Sequence, residues 1–261
     1  MGEETEANPQ NLEPVPFLIL AGGKGTRLGE LSKDLPKALL EIGGEPFIAH
    51  VLRLLARQGV KKVTFLVHHY AEQIEAFVED GSKFALDVTY CHDGQDSLGT
   101  GAAVSKALST IENDFAVMYG DTYLDISMPA VFESFKNCKF KAMMTVLEND
   151  DKWQPSNVDF DASKGKVLKY DKKGGAENLH YVDYGLTFFS KESFAKHSKD
   201  VKKSNFDLGE IFSSMAKKSE LGGYAVNRRF YDISTLESMV ETRAYLSQNQ
   251  LWQIDSAGKV T

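Results

Sequence analysis

Near the N-terminus three glycines, Gly22, Gly23 and Gly25, stand among three cations, Lys24, Arg27 and Lys37. Glycines in series leave successive backbone N–H groups free to converge on an anion and form a nest for phosphate oxygens. Arg27 adds a planar fork that grips two oxygens and stays charged at any working pH. The chemistry these residues suit is polyphosphate binding. Further along, Asp121 ends the apolar run Phe115 to Tyr119 in the triplet Tyr119-Gly120-Asp121, where a carboxylate at a strand end meets a ligand crevice. The histidines, His50, His68, His69, His92, His180 and His197, show no H-x-x-x-H spacing, so a zinc site is not expected.

Two common phosphate loops do not fit. A P-loop requires G-x-x-x-x-G-K-[ST], but Gly23-Lys24 is followed by Gly25 and the first glycine position is Leu18. A dinucleotide fingerprint requires G-x-G-x-x-G, and after Gly23 and Gly25 the third position is Leu28.

The run Leu20 to Leu28 (LAGGKGTRL), followed by Pro36-Lys37 and Ile42 to Pro46 (IGGEP), resembles the opening of the sugar-1-phosphate nucleotidyltransferases. That family moves the α-phosphoryl group of a nucleoside triphosphate onto the phosphate of a sugar 1-phosphate and releases pyrophosphate. Two anions must meet, which demands cations at both and a divalent ion at the α-phosphoryl group. The resemblance implies catalytic roles for Arg27, at the β- and γ-phosphates, and Lys37, at the transferred phosphoryl group, with Lys24 supportive. It implies nucleotide contacts from Leu20, Ala21, Gly22, Gly23, Gly25 and Thr26. Asp121 resembles the family's metal-binding G-D, and Asp232 in Tyr231 to Thr235 (YDIST) resembles a second ligand in D-I-G-T-P. Both would hold Mg2+, a hard cation that favours carboxylate and phosphate oxygens. Ser234 and Leu236 depart from the family pattern there, and Asp125 is a nearer alternative carboxylate.

Ser97 to Ala103 (SLGTGAA) resembles the family's P-L-G-T loop. Gly99 and Thr100 would border the base and sugar, and small residues there allow close backbone approach. Either Asp93 or Asp96 could read the base. In the second half Lys169 to Lys172 (KYDK) resembles the family's E-K element, with Lys172 favoured over Lys173 at the acceptor phosphate. Asp183, Tyr184 and Gly185 stand where relatives have N-A-G or N-G-G. Asp183 would be a pure hydrogen-bond acceptor for the sugar, and Tyr184 would add bulk at a wall.

These groups need a scaffold. Phe17 to Leu20 fits a buried parallel strand. Phe47, Ile48, Val51, Leu52, Leu54 and Leu55 form a helical stripe ended by Gly59. Strands over Val63–Val67, Asp87–Cys91 and Phe115–Tyr119 alternate with helices over Ala71–Glu79 and Thr100–Leu108. That pattern predicts an α/β fold with the ligand crevice at the carboxyl ends of the strands. Past Ser127 the pattern changes to strands over Ala142–Leu147, Val158–Phe160, Val167–Asp171 and Tyr184–Phe189. Ser163-Lys164-Gly165 turns a hairpin between the second and third. A helix over Asp207–Lys218 opens on Asp207 and Glu210 as a capping pair. Strands over Gly223–Val226 and Phe230–Ile233 precede a closing helix capped by Ser234 and Glu237, carrying Leu236, Met239, Val240 and Leu246. The resemblance implies a single GT-A-like, Rossmann-like, mostly parallel sheet. Its nucleotide half would be residues 15–126 and its sugar-phosphate half residues 127–250, with tails at residues 1–14 and 251–261.

The chain of 261 residues carries a net charge of −7. That charge, with no basic run longer than a lysine pair, excludes a duplex-binding surface. Cys91 and Cys138 lack a C-x-x-C partner, and two reduced thiols are expected. No apolar run reaches the roughly 20 residues of a membrane span, and the first residues lack a signal-peptide pattern. A cytoplasmic enzyme acting on a nucleoside triphosphate and a sugar 1-phosphate is the expectation, with no nucleic-acid or membrane partner. Overall similarity within the family points to GTP and heptose or mannose 1-phosphate. The alternatives are cytidylyl or uridylyl transfer to another acceptor such as phosphocholine, or a catalytically silent regulatory relative. The oligomeric state stays open, a homo-oligomer included.

Overall fold

The computed structural model describes residues 12–23, 28–29, 33–94, 97–174 and 179–248. In chain order the elements are β1 (Phe17–Leu20), β2 (Glu41–Ile42), β3 (Glu45–Pro46), α1 (Phe47–Arg57), β4 (Lys62–Val67), α2 (Ala71–Val78) and β5 (Asp87–His92). Next come α3 (Thr100–Ala107), β6 (Phe115–Tyr119), β7 (Thr122–Tyr123), α4 (Met128–Asn137), β8 (Ala142–Glu148), β9 (Val158–Asp161) and β10 (Lys166–Tyr170). The chain continues through β11 (Tyr181–Phe189), α5 (Lys191–Asp200), α6 (Leu208–Lys217), β12 (Leu221–Val226), β13 (Tyr231–Asp232) and α7 (Leu236–Gln248).

Nine strands form one sheet in the order β5-β4-β1-β6-β11-β8-β12-β10-β9. From β5 to β6 every pairing is parallel. Beyond β6 the sheet is mixed: β11 runs antiparallel to both β6 and β8, β12 is parallel to β8, and β10 is antiparallel to β12 and β9. Tyr181 of β11 also pairs with Val158 of β9, so β11, β8, β12, β10 and β9 close into a five-stranded barrel. The expectation of a mostly parallel sheet therefore holds only for the first half. Hairpins supply antiparallel neighbours without a crossover helix, and the second half is built with the β9–β10 hairpin.

The apolar residues of β1 alternate between two cores. Phe17 and Ile19 of β1 join the cluster under α1, α2 and α4, while Leu18 faces the cluster under α3, α5 and α6. This is a sheet covered by helices on both faces, and period-two alternation produces it. At the end of α1, Gly59 adopts φ +85° and donates its N–H to Ala56 O, the helix stop its sequence position predicts.

Two helices, α4 and α5, were not expected from the sequence. Ser127 caps α4 by accepting from Ala130 N, and Met128, Val131, Phe132 and Phe135 are its buried stripe. On α7, Leu236 and Val240 are exposed, and Thr242 and Leu246 are its buried residues. Its cap also differs. Thr235 Oγ1 accepts from Ser238 N at 3.1 Å while Ser238 Oγ accepts from Thr235 N at 3.0 Å, a reciprocal pair one residue later than Ser234 and Glu237. Among the described residues no helix is long and apolar enough to cross a membrane.

Candidate active site

The carboxyl ends of β1, β4 and β6 border a cavity of about 330 Å³, lined by Leu20, Ala21, Gly22, Gly23, Lys37, Gly99, Thr100, Tyr119, Asp121 and Asp207 among others. The crevice thus sits where a parallel α/β half places one. Ala21 N donates to Leu66 O at 3.0 Å, and Gly120 N donates to Leu20 O at 3.0 Å. A Cβ on Gly120 would stand 3.0 Å from Ile19 Cγ2 and 3.1 Å from Leu20 O, so a glycine is what lets the Asp121 backbone lie against β1. Lys24, Gly25, Thr26 and Arg27 lie outside the described residues, as does Asp96.

Lys37 opens a short 3-10 turn after the extended Pro36. Its ammonium lies 2.7 Å from Asp121 Oδ2 and donates to Ser234 Oγ at 3.1 Å, with the lysine side chain 16% and the carboxylate 31% exposed. Ser234 is available for this contact because Thr235 and Ser238 form the cap of α7.

Asp232 reaches the same place through a two-strand bridge. It pairs with Thr122 across β13 and β7, and Ile233 N donates to Asp121 O at 3.2 Å. Asp232 Oδ1 accepts from Ser234 N at 2.7 Å and Ser238 Oγ at 2.9 Å. Asp125, the nearer alternative carboxylate, is engaged elsewhere: its Oδ2 pairs with Arg228 at 2.7 Å and accepts from the Tyr245 hydroxyl.

Among the described residues no cluster of three or more His, Cys, Asp or Glu converges as a metal cage. The donor set fits Mg2+ all the same. That ion commonly takes one or two carboxylates, substrate phosphates and several waters rather than an all-protein cage. Asp121 already holds one cation, the Lys37 ammonium.

A second cavity, of about 500 Å³, adjoins the first and is lined by Tyr170, Lys172, Lys173, Asp207, Gly209 and Lys217 among others. Lys172 forms an ion pair with Asp207. Burial alone would raise the Asp207 carboxyl, but Lys172 and the Thr100 donors outweigh it and hold the group below its ordinary value. Asp207 is the N-terminal flanking residue of α6 yet makes no side-chain cap there, and Glu210 pairs with Lys203. The expected capping pair is therefore absent.

Asp183 is half-buried on a wide bulge of β11, where it opposes Val146 while Thr187 opposes Met144. Gly185 takes φ +110° within the bulge, and Thr145 Oγ1 donates to Leu186 O at 2.8 Å and accepts from Leu186 N at 3.3 Å. Asp183 Oδ1 accepts from Gly185 N at 3.0 Å. Burial pushes its carboxyl up to about 7, against the lowering effect of that hydrogen bond. A carboxyl near neutrality carries a proton part of the time, so it donates as well as accepts and is not the pure acceptor expected. Lys172 pairs with Asp207 and not with Asp183. Tyr184 is no wall residue. It is buried, stacks edge-on against Phe230 at 5.8 Å, and donates to Arg229 O at 3.2 Å; it lines neither cavity.

Two residues were missed by sequence reasoning. Tyr119 lines the first cavity, and burial first, then Asp183 and Tyr170, raise its hydroxyl well above the ordinary value, so it stays neutral. Its signal was its place at the end of β6, two residues before Asp121. Asp207 was read only as a cap.

The nucleotidyl transferase family model matches residues 17–249. The chain is 26% identical over 220 residues to D-glycero-alpha-D-manno-heptose 1-phosphate guanylyltransferase of Campylobacter jejuni, covering 84% of this chain and 95% of that protein. A probable glucose-1-phosphate cytidylyltransferase of Bacillus subtilis is 22% identical, over 91% of this chain and 98% of its own length. Among solved structures, HddC from Yersinia pseudotuberculosis complexed with GMP-PN superposes with a TM-score of 0.75 at 25% identity, covering 89% of this chain and 99% of that one. The match spans nearly every element that borders the two cavities, and the chain belongs to the nucleotidyl transferase family.

Proposed function

We propose that this protein transfers a nucleoside monophosphate from a nucleoside triphosphate to a sugar 1-phosphate, with release of pyrophosphate. The observation that carries this reading is the Lys37–Asp121 pair at 2.7 Å on the floor of the first cavity, beside a second cavity lined by Lys172, Lys173 and Lys217. One cavity holds a cation and a carboxylate suited to a triphosphate. The other gathers cations suited to the acceptor phosphate.

In this reading the nucleotide lies across Ala21 to Gly23 and the Gly99–Thr100 turn, in the half formed by residues 15–126 of a GT-A-like arrangement. The acceptor takes the half formed by residues 127–250. Lys37 donates to the phosphoryl group as charge builds on its oxygens, and Pro36 and the 3-10 turn hold its stem in place. Arg27 grips the leaving pyrophosphate. Asp121 and Asp232 would hold Mg2+, which when bound neutralises phosphate charge and orients the phosphoryl group. Tyr119 offers a neutral hydroxyl to the cavity, and Lys172 or Lys173 meets the acceptor phosphate. Asp183, which lines neither cavity but acts on the Tyr119 hydroxyl, helps select the sugar from behind it.

Guanosine as base and a heptose as sugar are the finer proposal, supported by the Campylobacter relative and by the GMP-PN complex of the Yersinia structure. Incubation with Mg2+, each common nucleoside triphosphate and a panel of sugar 1-phosphates, reading pyrophosphate, tests both levels. Release with GTP and heptose 1-phosphate is the expected result. Release with another pair removes the finer proposal alone, and no release with any pair removes the function.

A further inference from the structure

The loop before α6 reaches across from the second half and lies on the turn that opens α3. Asn205 Nδ2 donates to Ser97 O at 2.7 Å, Phe206 N donates to Leu98 O at 3.2 Å, and Gly101 N and Ala102 N donate to Phe206 O at 3.0 and 3.1 Å. The approach is so close that a Cβ on Gly99 would stand 2.8 Å from Phe206 O, and one on Gly101 2.8 Å from the Asp207 carbonyl carbon. The small residues of this turn, expected to make room for a base and sugar, make room here for the chain's own backbone.

Asp207 sits at the centre of this junction. Its Oδ1 accepts from Thr100 Oγ1 at 3.3 Å and from Thr100 N at 3.5 Å, and Thr100 Oγ1 in turn accepts from Leu208 N at 2.9 Å. Its Oδ2 takes the Lys172 ammonium. Among the described residues, Asp207 is also the one common to the linings of the two cavities. An ammonium has three donors, so Lys172 can keep Asp207 and still present two to an arriving phosphate.

We propose that Asp207 is a positioning residue that couples the two cavities, holding the nucleotide turn at Thr100 with one oxygen and aiming Lys172 at the acceptor phosphate with the other. A nucleotide that fixes Thr100 thereby fixes the aim of Lys172 at the acceptor phosphate. The coupling rests on the reading above, in which one cavity takes a nucleotide and the other a sugar 1-phosphate.

The test uses the full chain and whichever nucleotide and sugar 1-phosphate yield pyrophosphate. Asp207→Asn keeps an acceptor for Thr100 but loses the charge facing Lys172, and is expected to raise the acceptor KM about tenfold while moving the nucleotide KM less than about twofold. Thr100→Val, in the nucleotide cavity, is expected to raise the acceptor KM several-fold, but to add nothing in an Asp207→Ala background, since coupled residues are not additive. A purely structural role would give equal changes in both KM values, or additive effects, and either would overturn the proposal. A second readout does not depend on turnover: the rate at which a water-soluble acylating ester modifies Lys172, read by peptide mass spectrometry. Asp207→Asn and Thr100→Val should each speed it several-fold, and unchanged rates would overturn the bridge. If no substrate pair releases pyrophosphate, the functional reading fails and this labelling result alone decides whether Asp207 joins Thr100 to Lys172.

Discussion

At the level of single residues, the centre of the site is a lysine that touches a carboxylate. Lys37 and Asp121 are 84 positions apart in sequence, and neither has an evident structural need for the other, since both lie at the cavity and keep some solvent contact. Lys37→Met is expected to lower kcat by about 10²–10³, the range for loss of one preorganised electrostatic group, with little loss of melting temperature. Steady-state pyrophosphate release together with thermal unfolding checks this, and a fall in kcat of less than about threefold would remove Lys37 from the chemistry. Asp183 makes a different kind of prediction. Its carboxyl stands at about 7 in the folded chain against an ordinary 3.8, so between those values the folded state holds a proton that the unfolded state has released. Stability from this group is therefore greatest at low pH and falls as the pH rises through that window, levelling off above about 7. Asp183→Asn should remove the slope and raise stability near neutrality by on the order of 2 kcal/mol, discounted because the group is only half-buried. Denaturant midpoints at several pH values measure it, and parallel curves for the two proteins would contradict the assignment.

At the level of elements, the α3 turn gives a substitution whose sign is decided by one contact. Gly→Ala inside a helix usually stabilises by about 1 kcal/mol. At Gly101 the added Cβ would stand 2.6 Å from the Phe206 ring and 2.8 Å from the Asp207 backbone, so Gly101→Ala is expected to cost about 1–3 kcal/mol. A higher melting temperature in that variant would show that the junction is looser than described. The same elements show what the sequence could reveal. Strand β1, the α1 stripe with its Gly59 stop, and the β9–β10 hairpin were legible because alternation, helical spacing and turn residues are local signals. Helix α4 carries an equally local signal, the stripe Met128, Val131, Phe132 and Phe135 behind the Ser127 cap. Helix α5 buries only Ser193, Phe194 and His197, too few apolar positions to mark a face. The Thr235 and Ser238 cap was misplaced by one residue because Ser234 matched the same pattern locally, and only the fold shows Ser234 engaged with Lys37. Asp207 was illegible as a site residue for a related reason: its partners, Thr100 and Lys172, lie 107 and 35 positions away.

At the level of the whole molecule, an all-parallel first half and a barrel-closed second half meet at β6 and β11, where four consecutive residue pairs join them. The parallel half leaves strand ends open to a ligand. The mixed half brings Lys172 and Asp207 to the neighbouring wall, and the β7–β13 bridge carries Asp232 back to Asp121. The chain carries a net charge of −7, and its lysines at the cavities, Lys37 in the first and Lys172, Lys173 and Lys217 in the second, stand beside carboxylates. In the proposed reaction the bond broken lies between the α- and β-phosphoryl groups, with the α-phosphoryl group passing to the sugar phosphate. Nucleoside triphosphate carrying phosphorus label at the α position, and in a parallel reaction at the γ position, tests it most directly when supplied with Mg2+ and a sugar 1-phosphate. The expected result is α label in a sugar nucleotide and γ label in pyrophosphate. Label from the γ position in inorganic phosphate or on the sugar would contradict it.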